Sequence, residues 1–172
     1  MKKLNFGCGH DIRDDMDNID IEKRNEEKII KTFDFNLLPY PIKDNTYDYI
    51  MANQVIEHLY EPKKVIMELW RITKPNGIIH IEVPHYSNKS SYTDFEHKTH
   101  FSDTTFLKLG KKFWEENNFK GWENDNYYFE VISIELNPTK IGKFIPKKIR
   151  EKLSLFIFGL INGIIVDLKV LK

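Results

Sequence analysis

The chain has 172 residues, of which 41% are hydrophobic and 30% are charged, and this composition excludes an intrinsically disordered protein. Lysine and arginine together number 26, as do aspartate and glutamate, so no global positive charge favours nucleic-acid binding. The single cysteine excludes an internal disulfide and a cysteine-based zinc cluster. A chain of this length most simply forms one domain, residues 1–172, with a substantial core.

In chain order, short apolar strands alternate with helical patterns through the first two-thirds of the sequence, which predicts a parallel α/β sheet. Strands are predicted over residues 4–6, 17–21, 29–33, 47–52, 78–83, 127–137 and 163–170. Helices are predicted over residues 62–72 and 104–117, the first with Pro62 in its opening turn.

A glycine turn ends the first strand. Gly7 and Gly9 allow a tight bend and let a ligand approach the main chain closely. In an open α/β sheet, ligands bind at this carboxyl edge. A dinucleotide-binding fingerprint needs a third glycine near Ile12 and a helix start that faces a pyrophosphate. Neither is present, and this disfavours a nicotinamide-dependent dehydrogenase.

Two acids follow neighbouring strands. Asp20 ends the second strand, where a carboxylate accepts hydrogen bonds from both hydroxyls of a ribose. Asp34 follows the third strand, where it could accept a hydrogen bond from an adenine amino group while Phe35 packs near the ring. Together with the glycine turn, these residues predict a nucleoside pocket without a phosphate cradle, and this suits S-adenosylmethionine (SAM).

The ordered segments LNFGCG, NIDI, FDFNLLPYPIKDNTYDYIMANQVIEHL and ELWRITKPNGIIHIEVPHYS resemble class I SAM-dependent methyltransferases of the methyltransferase type 11 kind. The likeness covers residues 4–106. It implies a Rossmann-like sheet, mostly parallel with an antiparallel last strand. It also implies an enzyme that uses SAM as its cofactor and releases S-adenosylhomocysteine (SAH).

The resemblance assigns nine residues near the strand ends to cofactor binding. Asp20 would bind the ribose, Asp34 the adenine, and the residues after the fourth strand would lie beside the sulfonium. In chain order the nine are Asn5, Gly7, Gly9, Asp20, Ile21, Asp34, Phe35, Asn53 and Gln54.

The sequence departs from the family pattern at three points before the second strand. Asn5 stands where the family usually has an acid, two residues before the first glycine, and Asp11 replaces the common third glycine. The stretch from Gly9 to Asp17 is also too short for the family's full first helix. The predicted first helix is therefore shortened. This departure keeps open an alternative, a SAM-binding but catalytically inactive partner subunit of another enzyme.

Three of the six histidines lie in residues 84–102, which follow the fifth strand. In the resembling family this segment covers the methyl group, and it is called the roof segment below. His97 is predicted to be a general base or an acceptor-orienting residue, because Asp94 and His97 resemble a recurring Asp-Pro-x-His element. Alternatively, His97 and His100 cap the helix that follows. His85, Tyr86 and His100 are predicted to contact a small-molecule or glycan-like acceptor, methylated at oxygen.

Two further interpretations of these residues are disfavoured. A zinc site formed by His85, His97 and His100 has no spacing that fixes its geometry. Glu57 and His58 match the family's Glu-His-Leu, but Glu57 is predicted to start a helix and His58 to pack locally. Neither is assigned a catalytic role.

A basic, amphipathic segment, residues 139–162, precedes the last strand. Between residues 140 and 152 it has six basic residues and the single acid Glu151. We favour a helix that covers the sheet with its lysines solvated; a weak contact with an anionic membrane surface is the alternative. No apolar leader precedes the first strand, and no apolar run reaches about 20 residues, so the expected location is cytoplasmic or peripheral to a membrane.

Overall fold

The computed structural model describes residues 1–23, 27–117 and 128–172. Seven strands in these ranges form one sheet in the order β3-β2-β1-β4-β5-β7-β6. They are β1 (Lys3–Phe6), β2 (Asp17–Asp20), β3 (Ile29–Thr32), β4 (Tyr47–Asn53), β5 (Thr73–Pro84), β6 (Phe129–Pro138) and β7 (Ile161–Val170). Tyr127, the predicted start of the sixth strand, lies outside the described residues.

The pairing directions confirm the predicted Rossmann-like sheet. β1 to β5 pair in parallel with their neighbours. β7 is antiparallel to both β5 and β6. Because β1 to β5 run the same way, the carboxyl ends of β1, β2 and β4 lie at one edge, where the predicted cofactor residues stand.

Five α-helices belong to the described residues: α1 (Pro62–Ile72), α2 (Ser90–Thr93), α3 (Asp103–Leu107), α4 (Lys111–Asn117) and α5 (Lys147–Leu153). α1 has the predicted bounds and buries Val65, Leu69 and Ile72. The helix predicted over residues 104–117 is divided into α3 and α4. Gly110 lies against β6 at the division, where a Cβ on it would be 2.9 Å from a methyl of Val131. None of the described helices has the length and apolar character needed to cross a membrane.

The described chain between β1 and β2 forms turns in place of a first helix, and two buried asparagines hold them. Asn5 Nδ2 donates to the carbonyl of Asp11 at 2.6 Å and to Asn18 Oδ1 at 3.0 Å. Asn18 in turn accepts from the backbone N–H of Arg13 at 3.0 Å and donates to its carbonyl at 2.9 Å. An ionised carboxylate at position 5 could not donate these bonds. The amide at position 5 and the short connection therefore belong together, because the amide donates the hydrogen bonds that hold the connection.

The core consists of apolar side chains from the strands, α1 and α3. Each large apolar side chain removed from water contributes about 1.5–3 kcal/mol to folding, so this cluster fixes the sheet that positions the site. Its fully buried members include Leu4, Phe6, Ile19, Ile50, Leu69, Ile72, Ile79, Ile81 and Phe106.

Candidate active site

Strand register brings three predicted cofactor residues to one level at the carboxyl edge. β1 pairs with β2 as far as Phe6 and Ile19 and with β4 as far as Asn5 and Met51. Continuing these registers along the strands brings Gly7 close to the level of Asp20 and Asn53. The N–H of Gly7 donates to the carbonyl of Ile19 at 2.8 Å, which closes the turn onto β2. Residues separated by up to 46 positions therefore face one space.

The two glycines of the turn differ in what surrounds them. Both have a positive φ, 70° at Gly7 and 51° at Gly9. A Cβ on Gly7 would lie 2.3 Å from a methyl of Val55, whereas a Cβ on Gly9 would meet nothing within 4 Å. Packing requires the first glycine. The second leaves open space beside the main chain, where a ligand can approach.

Asp20 shapes the turn as well as facing it. Its side chain is 4% exposed; Oδ2 accepts from the N–H of Gly9 at 2.6 Å, and Oδ1 accepts from the N–H of Ile21 at 2.8 Å. Oδ2 also accepts a weak bond from the thiol of Cys8 at 3.9 Å, and Oδ1 one from the N–H of Glu22 at 3.5 Å. A carboxylate has about four lone-pair positions, so ribose hydroxyls would replace these two long bonds. The side chain of Ile21 is exposed beside it.

The predicted adenine residues lie after β3. Asp34 accepts from the backbone N–H of Asn36 at 2.8 Å, which fixes its carboxylate at the strand end. Phe35 is buried and stacks on Phe6 with ring centroids 4.0 Å apart. Core packing therefore accounts for Phe35, and its contact with an adenine stays a prediction.

Asn53 and Gln54 follow β4. Asn53 Oδ1 is buried and accepts no hydrogen bond from any described residue. Gln54 has a φ of 53°, and its N–H donates to the carbonyl of Glu82 at 2.8 Å. A left-handed conformation at a residue other than glycine is uncommon and concentrates at functional sites. The orphaned acceptor, the open space at Gly9 and the carboxylate of Asp20 together fit a nucleoside with a cationic amino-acid end.

His97 and His100 both contact Ser91, through different atoms of that residue. His97 Nδ1 lies 3.1 Å from the carbonyl oxygen of Ser91, and His100 Nδ1 lies 2.9 Å from the Ser91 hydroxyl. Neither histidine caps α3, because Ser102 and Thr105 form a capping box there. The alternative prediction, that His97 and His100 cap the helix that follows them, is therefore wrong.

The predicted acceptor residues His85, Tyr86 and His100 line a cleft of about 730 Å³. Burial lowers the pKa of His85, which keeps its ring neutral, and its Nδ1 lies 2.7 Å from the hydroxyl of Ser87. The cleft adjoins the carboxyl edge without including the residues of the glycine turn. Its other walls are Phe101, Ser102, Asp103, Thr104, Thr105, Leu107, Ile134, Leu136, Lys147, Glu151, Ser154 and Leu155.

His97 instead converges with Glu57 and His58, two residues that sequence reasoning kept out of the chemistry. One ligand atom from each of the three lies within 4.8 Å of the others. Burial raises the pKa of Glu57 to about 7, and the charges of Asp94 and Glu82 add to this shift. The disfavoured zinc site formed by His85, His97 and His100 is not assembled, since His97 alone of these belongs to this group.

Glu57 could have been found from its position. Two adjacent titratable residues directly after a strand, at the edge where ligands bind, are a signal in themselves. The sequence alone could not supply the third member, because His97 is 39 positions away and is brought in by the roof segment. Hydrogen bonds from the N–H groups of Lys98 and Thr99 to the Glu57 carbonyl, at 2.7 and 3.2 Å, hold that segment in place.

Comparison with known proteins finds methyltransferases among the relatives of this chain. The sequence model of the family described as "Methyltransferase domain" matches residues 4–81. An uncharacterized methyltransferase of Schizosaccharomyces pombe is 30% identical over 93 residues, 53% of this chain and 33% of that protein. Phosphoethanolamine N-methyltransferase 2 of Caenorhabditis elegans is 27% identical over 119 residues, 67% of this chain and 27% of that protein. The chain thus spans about a third or less of these relatives.

Among solved structures, a SAM-dependent methyltransferase from Archaeoglobus fulgidus has a TM-score of 0.63 at 20% identity, over 98% of this chain and 85% of that chain. The resemblance to class I SAM-dependent methyltransferases is confirmed. These comparisons support SAM as the cofactor. The structural likeness extends to the end of the chain, well past residue 81, where the family match stops.

Proposed function

We propose that this protein is a SAM-dependent methyltransferase that binds its cofactor along the carboxyl ends of β1, β2 and β4. The observation that carries the proposal is the alignment of Gly7, Asp20 and Asn53 at one level, beside open space at Gly9. When bound, the cofactor supplies an activated methyl group on its sulfonium. Asp20 holds the ribose, Asp34 binds the adenine, and the glycine turn and Asn53 hold the methionine end.

The acceptor that we propose is a small molecule or glycan-like compound, methylated at oxygen and bound in the cleft beside this edge. Apolar lining residues such as Leu107 and Ile134, together with hydroxyl, imidazole and carboxylate groups in the same lining, suit a compound with several hydroxyls. The acceptor hydroxyl must lose its proton as its oxygen takes the methyl group. His97 is suited to accept that proton, because its Nδ1 is engaged with Ser91 and Nε2 keeps a lone pair.

The proposal that the acceptor is methylated at oxygen has an alternative, which is methylation at nitrogen. The name of the Caenorhabditis elegans relative specifies a nitrogen acceptor. Incubation with cell-extract fractions and SAM carrying a trideuterated methyl group identifies products by their mass shift, and NMR then identifies the methylated atom. A methylated nitrogen in the main product would overturn the assignment to oxygen while keeping the enzyme class.

The role of His97 has a direct test in the same assay. We expect His97→Ala to lower SAH release about 100-fold, since a general base contributes roughly that much or more, and to leave SAH affinity unchanged. Glu96→Gln, an exposed neighbour on the same segment, is the matched control. Full turnover by His97→Ala on the acceptor so identified would assign His97 to structure alone. SAH binding without SAH release in any fraction would favour the inactive partner subunit.

We also propose that the segment between β6 and β7 contacts an anionic membrane surface. The sequence favours a helix that covers the sheet. In the structure, α5 buries Arg150, which donates to the carbonyls of Gly142 and Ile145 at 3.1 and 3.2 Å, while apolar side chains along the segment are exposed. Exposed lysines flank them, the combination that suits an anionic interface. The exposed apolar residues are Ile141, Phe144, Ile149, Leu155, Phe156, Ile157 and Phe158. The exposed lysines are Lys140, Lys143, Lys147, Lys148 and Lys152.

A further inference from the structure

The side chain of Glu57 has no hydrogen-bond partner in the part of the chain that the structure describes. The residue is 1% exposed, and neither carboxylate oxygen is bonded. Nδ1 of His58, directly beside it in sequence, is also buried and unpartnered. Burying a polar group without a partner destabilises the fold, and more so when the group is charged, so two adjacent residues in this state require an explanation.

Protonation of Glu57 explains only part of this. A neutral carboxyl relieves the cost of a buried charge, yet it leaves Nδ1 of His58 without a partner. The two groups are also not paired with each other, although they are neighbours. Instead, Glu57, His58 and His97 each place one ligand atom within 4.8 Å of the other two, and the rings of His58 and His97 meet edge to face at 4.7 Å. Side chains that surround a common point without hydrogen bonds to one another have the arrangement of metal ligands.

The dimensions suit a metal ion. Bonds from zinc to imidazole nitrogen or carboxylate oxygen are about 2.0–2.2 Å, so ligand atoms in a tetrahedral site are about 3.3–3.6 Å apart. The observed limit of 4.8 Å closes to that separation if each ligand atom moves by less than about 1 Å.

The surroundings of His97 resemble those of a metal ligand. Nδ1 lies 3.1 Å from the carbonyl oxygen of Ser91, to which it donates, and this leaves Nε2 with a free lone pair. Asp94 adds negative charge at the rim, with Oδ2 3.8 Å from His97 Nε2. The carbonyl of Glu57 anchors the segment that carries His97, so the three side chains are held together without an ion.

We propose that Glu57, His58 and His97 bind one divalent transition-metal ion, with zinc as the preferred ion. Two imidazoles and one carboxylate form a three-residue set that binds zinc and leaves a fourth position for water or substrate. Magnesium and calcium prefer all-oxygen sites, so two nitrogen ligands disfavour them.

The site deepens the proposed function, on which this part of the inference rests. The open position lies after β4 beneath residues 84–102, the segment that also carries His85, Tyr86 and His100 of the proposed acceptor cleft. An ion there would hold an acceptor oxygen and lower the pKa of its hydroxyl, so that the proton would pass to solvent water as the oxygen takes the methyl group. The substrate class thus narrows to compounds with an oxygen donor. His97 would then orient the acceptor through the ion, the second of the two roles predicted for it, and water would replace it as the proton acceptor.

Metal binding can be measured without activity. The full chain, freed of metal with a chelator, is titrated with zinc chloride by calorimetry, and with cobalt(II) while its visible absorption is recorded. We expect one zinc per chain and a cobalt spectrum of low coordination number. Glu57→Gln and His97→Ala should each weaken zinc binding about 100-fold or more, since outer-shell partners alone are worth about 10- to 100-fold. Glu96→Gln, an exposed acid on the same segment as His97, should bind zinc as the wild type does.

SAH titration of the same samples separates this inference from the proposed function. Wild-type protein that binds SAH but no zinc would overturn the metal site and leave the methyltransferase proposal standing. Zinc binding with no SAH binding would do the reverse. Zinc binding that survives both Glu57→Gln and His97→Ala, in variants with native circular dichroism, would also overturn the site. If Glu57→Gln does not fold, His97→Ala decides the matter by itself.

Discussion

The glycine turn and the roof of the site lie at the same edge of the sheet, but their polar groups are satisfied differently. In the turn, Asn5, Asn18 and Asp20 are buried, and each has hydrogen-bond partners within the loop. Beneath the roof, both oxygens of Glu57 and Nδ1 of His58 are buried with no described partner. The turn is complete before any ligand arrives, whereas the groups under the roof depend on what binds there.

The largest expected effect tests the rigidity of the turn. Gly7→Ala places a methyl group against Val55 and forces a left-handed residue, so we expect a loss of about 2–5 kcal/mol in the free energy of unfolding. Gly9→Ala is the matched control: its φ is also positive but its surroundings are open, so only about 1–2 kcal/mol is at stake. Urea denaturation measures both. Equal losses would mean that the turn tolerates displacement and is not the preformed half of the site.

Asp20 tests whether the completed turn also binds the cofactor. Asp20→Ala removes a charge-assisted contact to the ribose, and we expect SAH binding to weaken by roughly 2–3 kcal/mol, about 30- to 150-fold. Because Asp20 also accepts from Gly9, Asp20→Asn serves as the control that keeps one oxygen for the loop. Calorimetry with a melting curve on each variant distinguishes lost binding from lost folding. Unchanged affinity in Asp20→Ala would place the nucleoside elsewhere.

These two regions also differ in how far the sequence predicts them. The glycine turn, Asp20 and α1 follow from local signals: paired glycines, an acid at a strand end, and a proline before a 3.6-residue apolar period. The roof does not, because its chemistry arises when His97 is brought to Glu57 by hydrogen bonds between distant backbone groups. Local pattern assigned Glu57 to a helix start and missed its burial.

Contacts between elements distant in sequence also explain two predictions that differ from the structure. The apolar and charged pattern over residues 104–117 predicts one helix. The contact of Gly110 with β6 divides it, and a local sequence period gives no information on such a distant contact. In the segment before β7, the pattern predicted an apolar face turned to the sheet. Arg150 takes that buried place instead, because its guanidinium bonds the carbonyls of the preceding turn. Both differences depend on tertiary contacts that override the local preference.

The smallest expected effect concerns the basic segment, residues 139–162. It is a third region to compare, because the groups that it leaves exposed include apolar side chains. Leu155 belongs both to the cleft wall and to the exposed apolar surface, so a membrane bound there would lie beside the acceptor. We expect the protein to sediment with anionic liposomes at low salt and less so at about 0.15 M salt, because each lysine near the surface contributes about 1 kcal/mol that salt screens.

Phe156 and Phe158 are 84% and 63% exposed, and we expect replacing both with serine to weaken the partitioning about tenfold, close to 1.4 kcal/mol, since each ring enters only the interface. Phe95→Ser is the matched control, because Phe95 is fully exposed but belongs to the roof segment and not to the basic tail. Sedimentation that is equally lost in the Phe95 variant would indicate nonspecific adsorption of exposed aromatic groups. If the wild type stays in the supernatant even at low salt, the exposed side chains do not dock on lipid, and the acceptor reaches the cleft from solution.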